Sequence, residues 1–125
     1  MKIVIESIPK ATHRYDTWGD WWYDADGTIQ IRVSADEPDL PTENHQFLVA
    51  LHELVEVWLC KQRGVTQEQV DAHDLAFEDL PEDYKKLHEP GDEEDAPYRK
   101  EHRFAMIVEH MMAHELGMGG YGDIA

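Results

Sequence analysis

Residues 51–58, LHELVEVW, contain three polar residues whose types and spacing suit a metal site. His52 and Glu56 are four residues apart, so on a helix both side chains project from one face, about one turn from each other. An imidazole nitrogen and a carboxylate oxygen are both accepted ligands of zinc. Glu53 directly follows His52 and is placed to act as a general base. The segment therefore predicts a metal site at His52 and Glu56, with Glu53 as its catalytic residue.

The helix that carries these residues is apolar on nearly all sides. Between Phe47 and Cys60, the three residues named above are the only polar ones. A helix of this kind is usually buried, and its few charged groups then need partners. We expect the three polar side chains to face other polar groups rather than water.

A second predicted helix carries a stripe of carboxylates. Asp71, Asp74 and Glu78 fall within about 60° of one another at 100° per residue. Carboxylates stacked so closely repel one another, so a positive group should face them unless they are solvated. All three are candidate metal ligands, while Val70 and Phe77 beside them are predicted to pack on the rest of the protein.

A third predicted helix contributes histidine. His102 and Glu109 share one face with small residues, which would allow another helix to approach closely. His102 is therefore a further candidate ligand. The small residues are Ala105 and Ala113. Two other histidines on this helix, predicted to form a surface pair, are His110 and His114.

Residues 47–58, FLVALHELVEVW, resemble the active-site helix of zincin metallopeptidases. Apolar residues precede His52, and uncharged residues fill the two places between Glu53 and Glu56, as in that family. The resemblance implies a metal-dependent hydrolase with zinc as its cofactor. It departs from the family at Glu56, where zincins carry histidine, so the ion would be held by more carboxylate than in a standard zinc protease.

The same resemblance implies a third ligand and an edge strand. In zincins the third ligand comes from further along the chain, and here Asp74, Glu78 and His102 are the candidates. Zincins also present an antiparallel edge strand ahead of the active-site helix. Residues 28–34, TIQIRVS, are the expected strand.

A second resemblance involves carboxylates alone. Glu53-x-x-Glu56, followed after fourteen residues by Asp71-x-x-Asp74, resembles the ExxE and ExxD motifs of MazG-like and dUTPase-like nucleotide pyrophosphohydrolases. The resemblance implies magnesium or manganese bound against the phosphates of a nucleotide. Carboxylates suit these hard cations. However, His52 then has no role, and the N-terminal strands are foreign to that all-α fold.

The charge of the chain limits its partners. Eleven Lys and Arg oppose 27 Asp and Glu, for a formal net charge of −16. Such a surface repels nucleic acid and anionic lipid, so direct nucleic-acid binding is not expected. It suits cations, a basic protein partner, or a non-enzymatic role as an acidic mimic of DNA. The segments HELVE, VDxxD and YRxEH also resemble small uncharacterised phage and prophage proteins, a resemblance that implies no activity.

Cysteine content and hydropathy bear on the compartment. Cys60 is the only cysteine, which excludes an internal disulfide and fits a reducing environment. No apolar run approaches the ~20 residues of a membrane span. We expect a cytoplasmic protein, located in the host cytoplasm if phage-encoded, whose substrate is an unidentified small molecule or peptide.

The elements that must position these residues indicate an α+β fold. Alternating β-branched residues predict a strand over 2–8, and an Asp26–Gly27 turn predicts a hairpin over 18–35. Three helices are expected, at 44–64, 66–80 and 98–116. We therefore predict a single domain over 1–125, with a small antiparallel sheet packed on three helices. Its parts are a β-rich region 1–35, a helical region 43–116 and a flexible tail 117–125.

Overall fold

The computed structural model describes residues 1–121, and within them the chain forms one three-stranded sheet and four α-helices. The strands are β1 (Ile3–Ile8), β2 (Gly19–Tyr23) and β3 (Ile29–Ser34). The helices are α1 (Glu43–Arg63), α2 (Gln67–Glu78), the one-turn α3 (Glu82–Lys85) and α4 (Arg99–Glu115). The predicted α+β class is confirmed, and the three long helices lie where they were expected.

The sheet is mixed rather than antiparallel throughout. Its strand order is β1-β3-β2, with β1 parallel to β3 and β2 antiparallel to β3. The prediction of an antiparallel sheet was therefore wrong for β1. Alternating Ile and Val indicate that a segment is a strand, but they carry no information on its direction relative to a neighbour. The long connection between β1 and β2, which includes a 3₁₀ turn at Lys10–Thr12, allows β1 to lie beside β3.

The predicted hairpin joins β2 to β3 through its Asp-Gly turn. Gly27 has φ of +86°, and its amide donates to the carbonyl of Asp24 at 3.0 Å. β3 is buried along most of its length and lies at the centre of the sheet. The expectation that residues 28–34 supply an edge strand was wrong, because β2 occupies that edge.

Helix α1 buries two polar residues among its buried apolar ones and exposes two aromatic residues. Thr42 caps its start by accepting from the amide of His45, and Gly64, at φ of +73°, ends it. His52 and Glu56 are buried, whereas Phe47 is 48% and Trp58 37% exposed. Within residues 1–121, no helix is long and apolar enough to cross a membrane.

Helices α1 and α4 pack side by side in opposite directions. Arg63 pairs with Glu101 at 2.9 Å, and further along the two helices His52 contacts Glu109 at 2.7 Å. The small residues predicted to permit a close approach are fully buried on α4, with Ala105 0% exposed. On α2, the predicted contact residues Val70 and Phe77 are buried as well. Any polar group on the facing sides of α1 and α4 is thereby removed from water.

The chain after α4 turns back toward that helix. Residues 117–121 form hydrogen-bonded turns, including Met118 N to Ala113 O at 3.0 Å. Tyr121 then reaches α4, where its hydroxyl donates to Glu109. The predicted flexible tail therefore begins with a segment that contacts the fold, and residues 122–125 of that tail lie outside the described part of the chain.

Candidate metal centre

Three predicted ligands meet between α1 and α4. Nε2 of His52 lies 3.1 Å from Oε2 of Glu56 and 3.0 Å from Nδ1 of His102. The third side of this triangle, from His102 Nδ1 to Glu56 Oε2, is 3.1 Å. All three residues are buried. Three ligand atoms therefore face one small volume, although only two of the residues are near each other in sequence.

The outward-facing nitrogen of His52 is bound on α4. Its Nδ1 lies 2.7 Å from Oε1 of Glu109, whose other oxygen accepts from the hydroxyl of Tyr121. The carboxylate accepts a hydrogen, so Nδ1 carries a proton, and in the neutral ring the lone pair of Nε2 would face the triangle. Glu109 thus sets both the tautomer and the orientation of the ring.

The outward-facing nitrogen of His102 faces a short acidic turn. Nε2 lies 3.2 Å from Oε2 of Glu89 and 3.5 Å from Oδ1 of Asp92, but neither contact has the geometry of a hydrogen bond. Between these acids, Gly91 lies directly against the imidazole, and a Cβ at this position would overlap the ring. The 3₁₀ turn Pro90–Asp92 can therefore fit over His102 only with glycine at position 91.

The two carboxylate oxygens of Glu56 also have separate partners, one inside the triangle and one outside it. Oε2 belongs to the triangle, while Oε1 accepts from the indole Nε1 of Trp21 at 3.1 Å. Trp21 lies on β2 and is 3% exposed. The sheet therefore orients one ligand, α4 orients a second, and the turn before α4 contacts the third.

The contacts within the cluster shift the pKa of each residue. Burial lowers the pKa of His52, but hydrogen bonds to Glu109 and Glu56 outweigh it and leave that pKa well above 6.5. Burial likewise opposes the charged form of His102, yet Glu56 and Glu89 raise its pKa to about 9. In Glu56, burial favours the neutral acid, but hydrogen bonds to the two imidazoles lower the pKa to about 2. The cluster therefore contains an ionised carboxylate that positive charge must neutralise.

Glu53, the predicted catalytic residue, lies where α1 meets β2. A Cβ on Gly19 would lie 2.7 Å from its Oε1, so this close approach depends on glycine. Burial, followed by repulsion from the Glu56 carboxylate, raises the pKa of Glu53 well above 4.5. Such a carboxyl holds a proton to unusually high pH, which is the property expected of an acid-base residue.

The three carboxylates of α2 do not join the triangle. Asp71 forms a two-oxygen contact with Arg14 at 3.0 and 3.1 Å. Asp74 is buried but accepts hydrogen bonds from the hydroxyls of Tyr15 and Tyr98. The expectation that all the predicted ligands converge was therefore wrong for these two residues. Their contacts also give no support to a magnesium site of the MazG-like kind.

Glu78 is likewise separate from the centre. It is partly exposed, and the ammonium of Lys85 donates to its backbone carbonyl at 3.0 Å. A helical wheel places Asp71, Asp74 and Glu78 on one stripe, but it contains no information on which part of the fold that stripe meets. Arg14 and Tyr15, which approach α2 from the loop before β2, contact the first two instead.

The outer edge of β2 is closed by side chains. Arg14 donates to the carbonyl of Trp21 at 3.2 Å, and the amide of Tyr23 donates to Oε1 of Gln67 at 2.8 Å. At the start of the strand, the hydroxyl of Thr17 donates to the carbonyl of Gly19 at 2.6 Å. An extended peptide could pair with this edge only by displacing these groups.

Several residues around the centre were not predicted. No role at the centre was predicted for Trp21, Glu89 or Asp92. The sequence offers one indication, a glycine placed between two acids in a segment broken by prolines. Such a glycine permits close approach of the backbone to another group.

The predicted resemblances to two enzyme classes each depend on a short motif. The zincin-like motif covers residues 47–58, and the pyrophosphohydrolase-like motif depends on four acidic residues of α1 and α2. Comparison of the whole chain with models of protein families, with curated proteins and with solved structures found no match in any of the three.

Proposed function

We propose that the protein is a metal-dependent hydrolase whose single divalent ion is bound by His52, Glu56 and His102. Two imidazoles and one carboxylate are a ligand set used by catalytic zinc, which makes zinc the first choice. Manganese and magnesium are alternatives that favour oxygen ligands. The observation that supports the proposal most is the triangle of ligand atoms, each 3.0 to 3.1 Å from the other two.

Hydrogen bonds among the three ligand atoms would stabilise this triangle less well than coordination of one metal cation. With both rings protonated, two N–H donors lie 3.0 Å apart while they share one oxygen of Glu56. One ion replaces both protons and accepts all three lone pairs. Atoms bound to one ion at about 2.1 Å are roughly 3.0 to 3.4 Å apart, for bond angles from octahedral to tetrahedral. The observed spacing lies at the octahedral end of this range, so a tetrahedral zinc would require the ligand atoms to move apart by about 0.3 Å.

The outer contacts of the ligands also favour a metal. His52 is bound to Glu109, and Glu56 to Trp21, on the side away from the triangle. A carboxylate partner such as Glu109 fixes the tautomer of a ligating histidine and increases its basicity. The protein therefore holds these two ligands in fixed orientations before any ion is bound.

Glu53 is the proposed acid-base residue of the reaction. When bound, a zinc ion would supply Lewis-acid activation of water and polarisation of a carbonyl oxygen. The carboxyl of Glu53, whose pKa burial raises well above its ordinary value, would accept a proton more readily than an exposed glutamate does. Because side chains close the β2 edge, a small ester or amide is a better substrate than an extended peptide.

Metal analysis tests the first half of the proposal. Protein purified without chelator should contain about one equivalent of zinc or another transition metal, and His52→Ala should lose it. His114→Ala is the matched control, because His114 is an exposed histidine of α4 outside the triangle. A metal-free wild-type protein whose melting temperature responds neither to zinc nor to EDTA would overturn the proposal. The triangle would then be a polar network held by protons.

Glu53→Gln tests the hydrolytic half. The variant should keep its metal but lose at least about 100-fold in kcat/KM on a panel of small activated esters and amides. Glu43→Gln, an exposed acid in the first turn of α1, should retain full activity. Unchanged turnover in Glu53→Gln, or no turnover by the zinc-loaded wild type, would contradict hydrolysis and leave only a metal-binding role.

A further inference from the structure

We propose that Glu89, Asp92 and Nε2 of His102 form a second, outer cation site through which the metal ion reaches the inner centre. The inference rests on the proposed metal centre and adds a route to it. The site would bind a divalent transition metal. Its three candidate ligand atoms, one from each residue, all lie within 4.8 Å of one another. Two of these residues are absent from the inner triangle.

The strongest support is a buried nitrogen directed at two carboxylates. His102 is 6% exposed, and its Nε2 has no hydrogen-bond partner within residues 1–121. It faces Glu89 Oε2 at 3.2 Å and Asp92 Oδ1 at 3.5 Å. A buried nitrogen without a partner is unfavourable. A cation bound by both carboxylates and this nitrogen would remove that cost.

The outer site is more exposed to solvent than the inner site, as a route for an incoming metal ion requires. The side chains of Glu89 and Asp92 are 54% and 40% exposed, whereas that of Glu56 in the inner site is only 6% exposed. A hydrated ion can therefore reach the outer carboxylates directly, but it cannot reach the inner ligands without first losing water. Exposed carboxylates provide an initial, exchangeable binding position.

His102 belongs to both sites. Its Nδ1 faces the inner triangle and its Nε2 faces the acidic turn. A neutral imidazole has one lone pair, so it binds an ion through one nitrogen at a time. The two positions are therefore occupied in succession, and the ion passes from one nitrogen of the ring to the other.

The outer site is held in place by the fold. Nε2 of His73 on α2 donates to the carbonyl of Pro90 at 2.7 Å, and the amide of Asp92 donates to the carbonyl of Glu89 at 3.1 Å. Gly91 lies against the imidazole of His102. These contacts fix the acidic turn over the ring before any ion arrives.

Stopped-flow uptake of Co²⁺ by the metal-free full chain, at fixed pH and ionic strength, tests the route. The double variant Glu89→Gln/Asp92→Asn should bind and release Co²⁺ at least about tenfold more slowly, with a Kd within about threefold of wild type. A loading route increases the rates of metal binding and of metal release by the same factor, so it leaves the Kd unchanged. The control Glu94→Gln/Asp95→Asn removes two exposed acids from the same loop and should behave as wild type.

Other outcomes overturn the inference in distinguishable ways. Faster release and weaker binding with unchanged uptake would show that Glu89 and Asp92 only orient His102. Equal slowing in the control would show general attraction by the acidic surface rather than a site. Unchanged rates in both variants would exclude a route through the acidic turn. If wild type bound no Co²⁺ at all, the inner centre itself, and the proposed function with it, would be wrong.

Discussion

Glu56 occupies the position where the zincin helices that this segment resembles carry histidine, and in the proposed centre a carboxylate can serve there. An imidazole used as a ligand has one nitrogen toward the ion and one toward an outer partner. Glu56 has the same two-sided arrangement, since Oε2 faces His52 and His102 while Oε1 accepts from Trp21. In the proposed centre, glutamate therefore has both the inward contact and the outer anchor that a ligating histidine would have.

Asp74 is the residue whose protonation should affect stability most clearly outside the centre. Burial raises its pKa from 3.8 to about 6, despite hydrogen bonds from the hydroxyls of Tyr98 and Tyr15. The folded state therefore binds the proton more tightly than the unfolded state. Between pH 4 and 6 stability should fall as pH rises, by about 3 kcal/mol in total from this group.

Asp74→Asn should remove that part of the pH dependence. Asparagine can accept from one tyrosine and donate to the other, so the contacts with Tyr15 and Tyr98 persist. Urea unfolding of chelator-treated protein from pH 4 to 7 measures the difference in slope between variant and wild type. Asp79→Asn, an exposed acid just after α2, is the control. Equal slopes in wild type and Asp74→Asn would show that the buried acid does not titrate in this range.

Among the elements, α1 buries two polar residues on the side that also buries apolar residues such as Leu48. Its side with His52 and Glu56 faces the interior, and Phe47 and Trp58 face outward. Amphipathic helices of small domains normally bury the apolar side. Buried charged groups are costly unless they are paired or bind a cation. The buried pair His52 and Glu56 is therefore compatible with a functional polar centre within an otherwise apolar packing surface.

The turn at Pro90–Asp92 positions His102, and glycine is essential to it. Gly91→Ala places a Cβ inside the volume of the imidazole, so the ring or the turn must move. We expect a loss of stability of about 1 to 3 kcal/mol, as for other overpacked sites. Metal affinity should also fall by at least about tenfold because His102 is displaced.

Thermal unfolding and zinc titration of Gly91→Ala measure these two effects. Gly119→Ala is a matched control, since a Cβ at position 119 meets no atom within 4 Å. If Gly91→Ala is as stable as wild type and binds zinc equally tightly, the turn does not constrain His102.

At the scale of the whole molecule, basic residues pair with acids other than the proposed ligand Glu56. Arg14 pairs with Asp20 at 2.8 Å and with Asp71 at 3.0 Å, and Arg63 pairs with Glu101 at 2.9 Å. Because the chain has 11 Lys and Arg against 27 Asp and Glu, most carboxylates have no Lys or Arg with which to pair. The field of the molecule therefore attracts cations, in accord with a metal centre and with a basic protein partner.

Much of the fold was predictable because its indications are local. The Asp26–Gly27 turn and the Gly64 terminus each depend on backbone conformations that glycine adopts most easily. The capping box at Thr66 and Gln69 is likewise a contact between residues three apart. The direction of β1 was not predictable, because strand pairing joins segments that are distant in sequence.

The candidate centre was predictable only in part, for the same reason. His52 and Glu56 are one helical turn apart, so the sequence by itself determined that they share a face. Their meeting with His102, the outward contact with Trp21 and the placement of Gly91 over the imidazole depend on how α1, α4, β2 and the acidic turn come together. Only tertiary structure decided that Asp71 binds Arg14 and that Asp74 binds two tyrosines, because a helical wheel shows which residues share a face but not which groups that face meets.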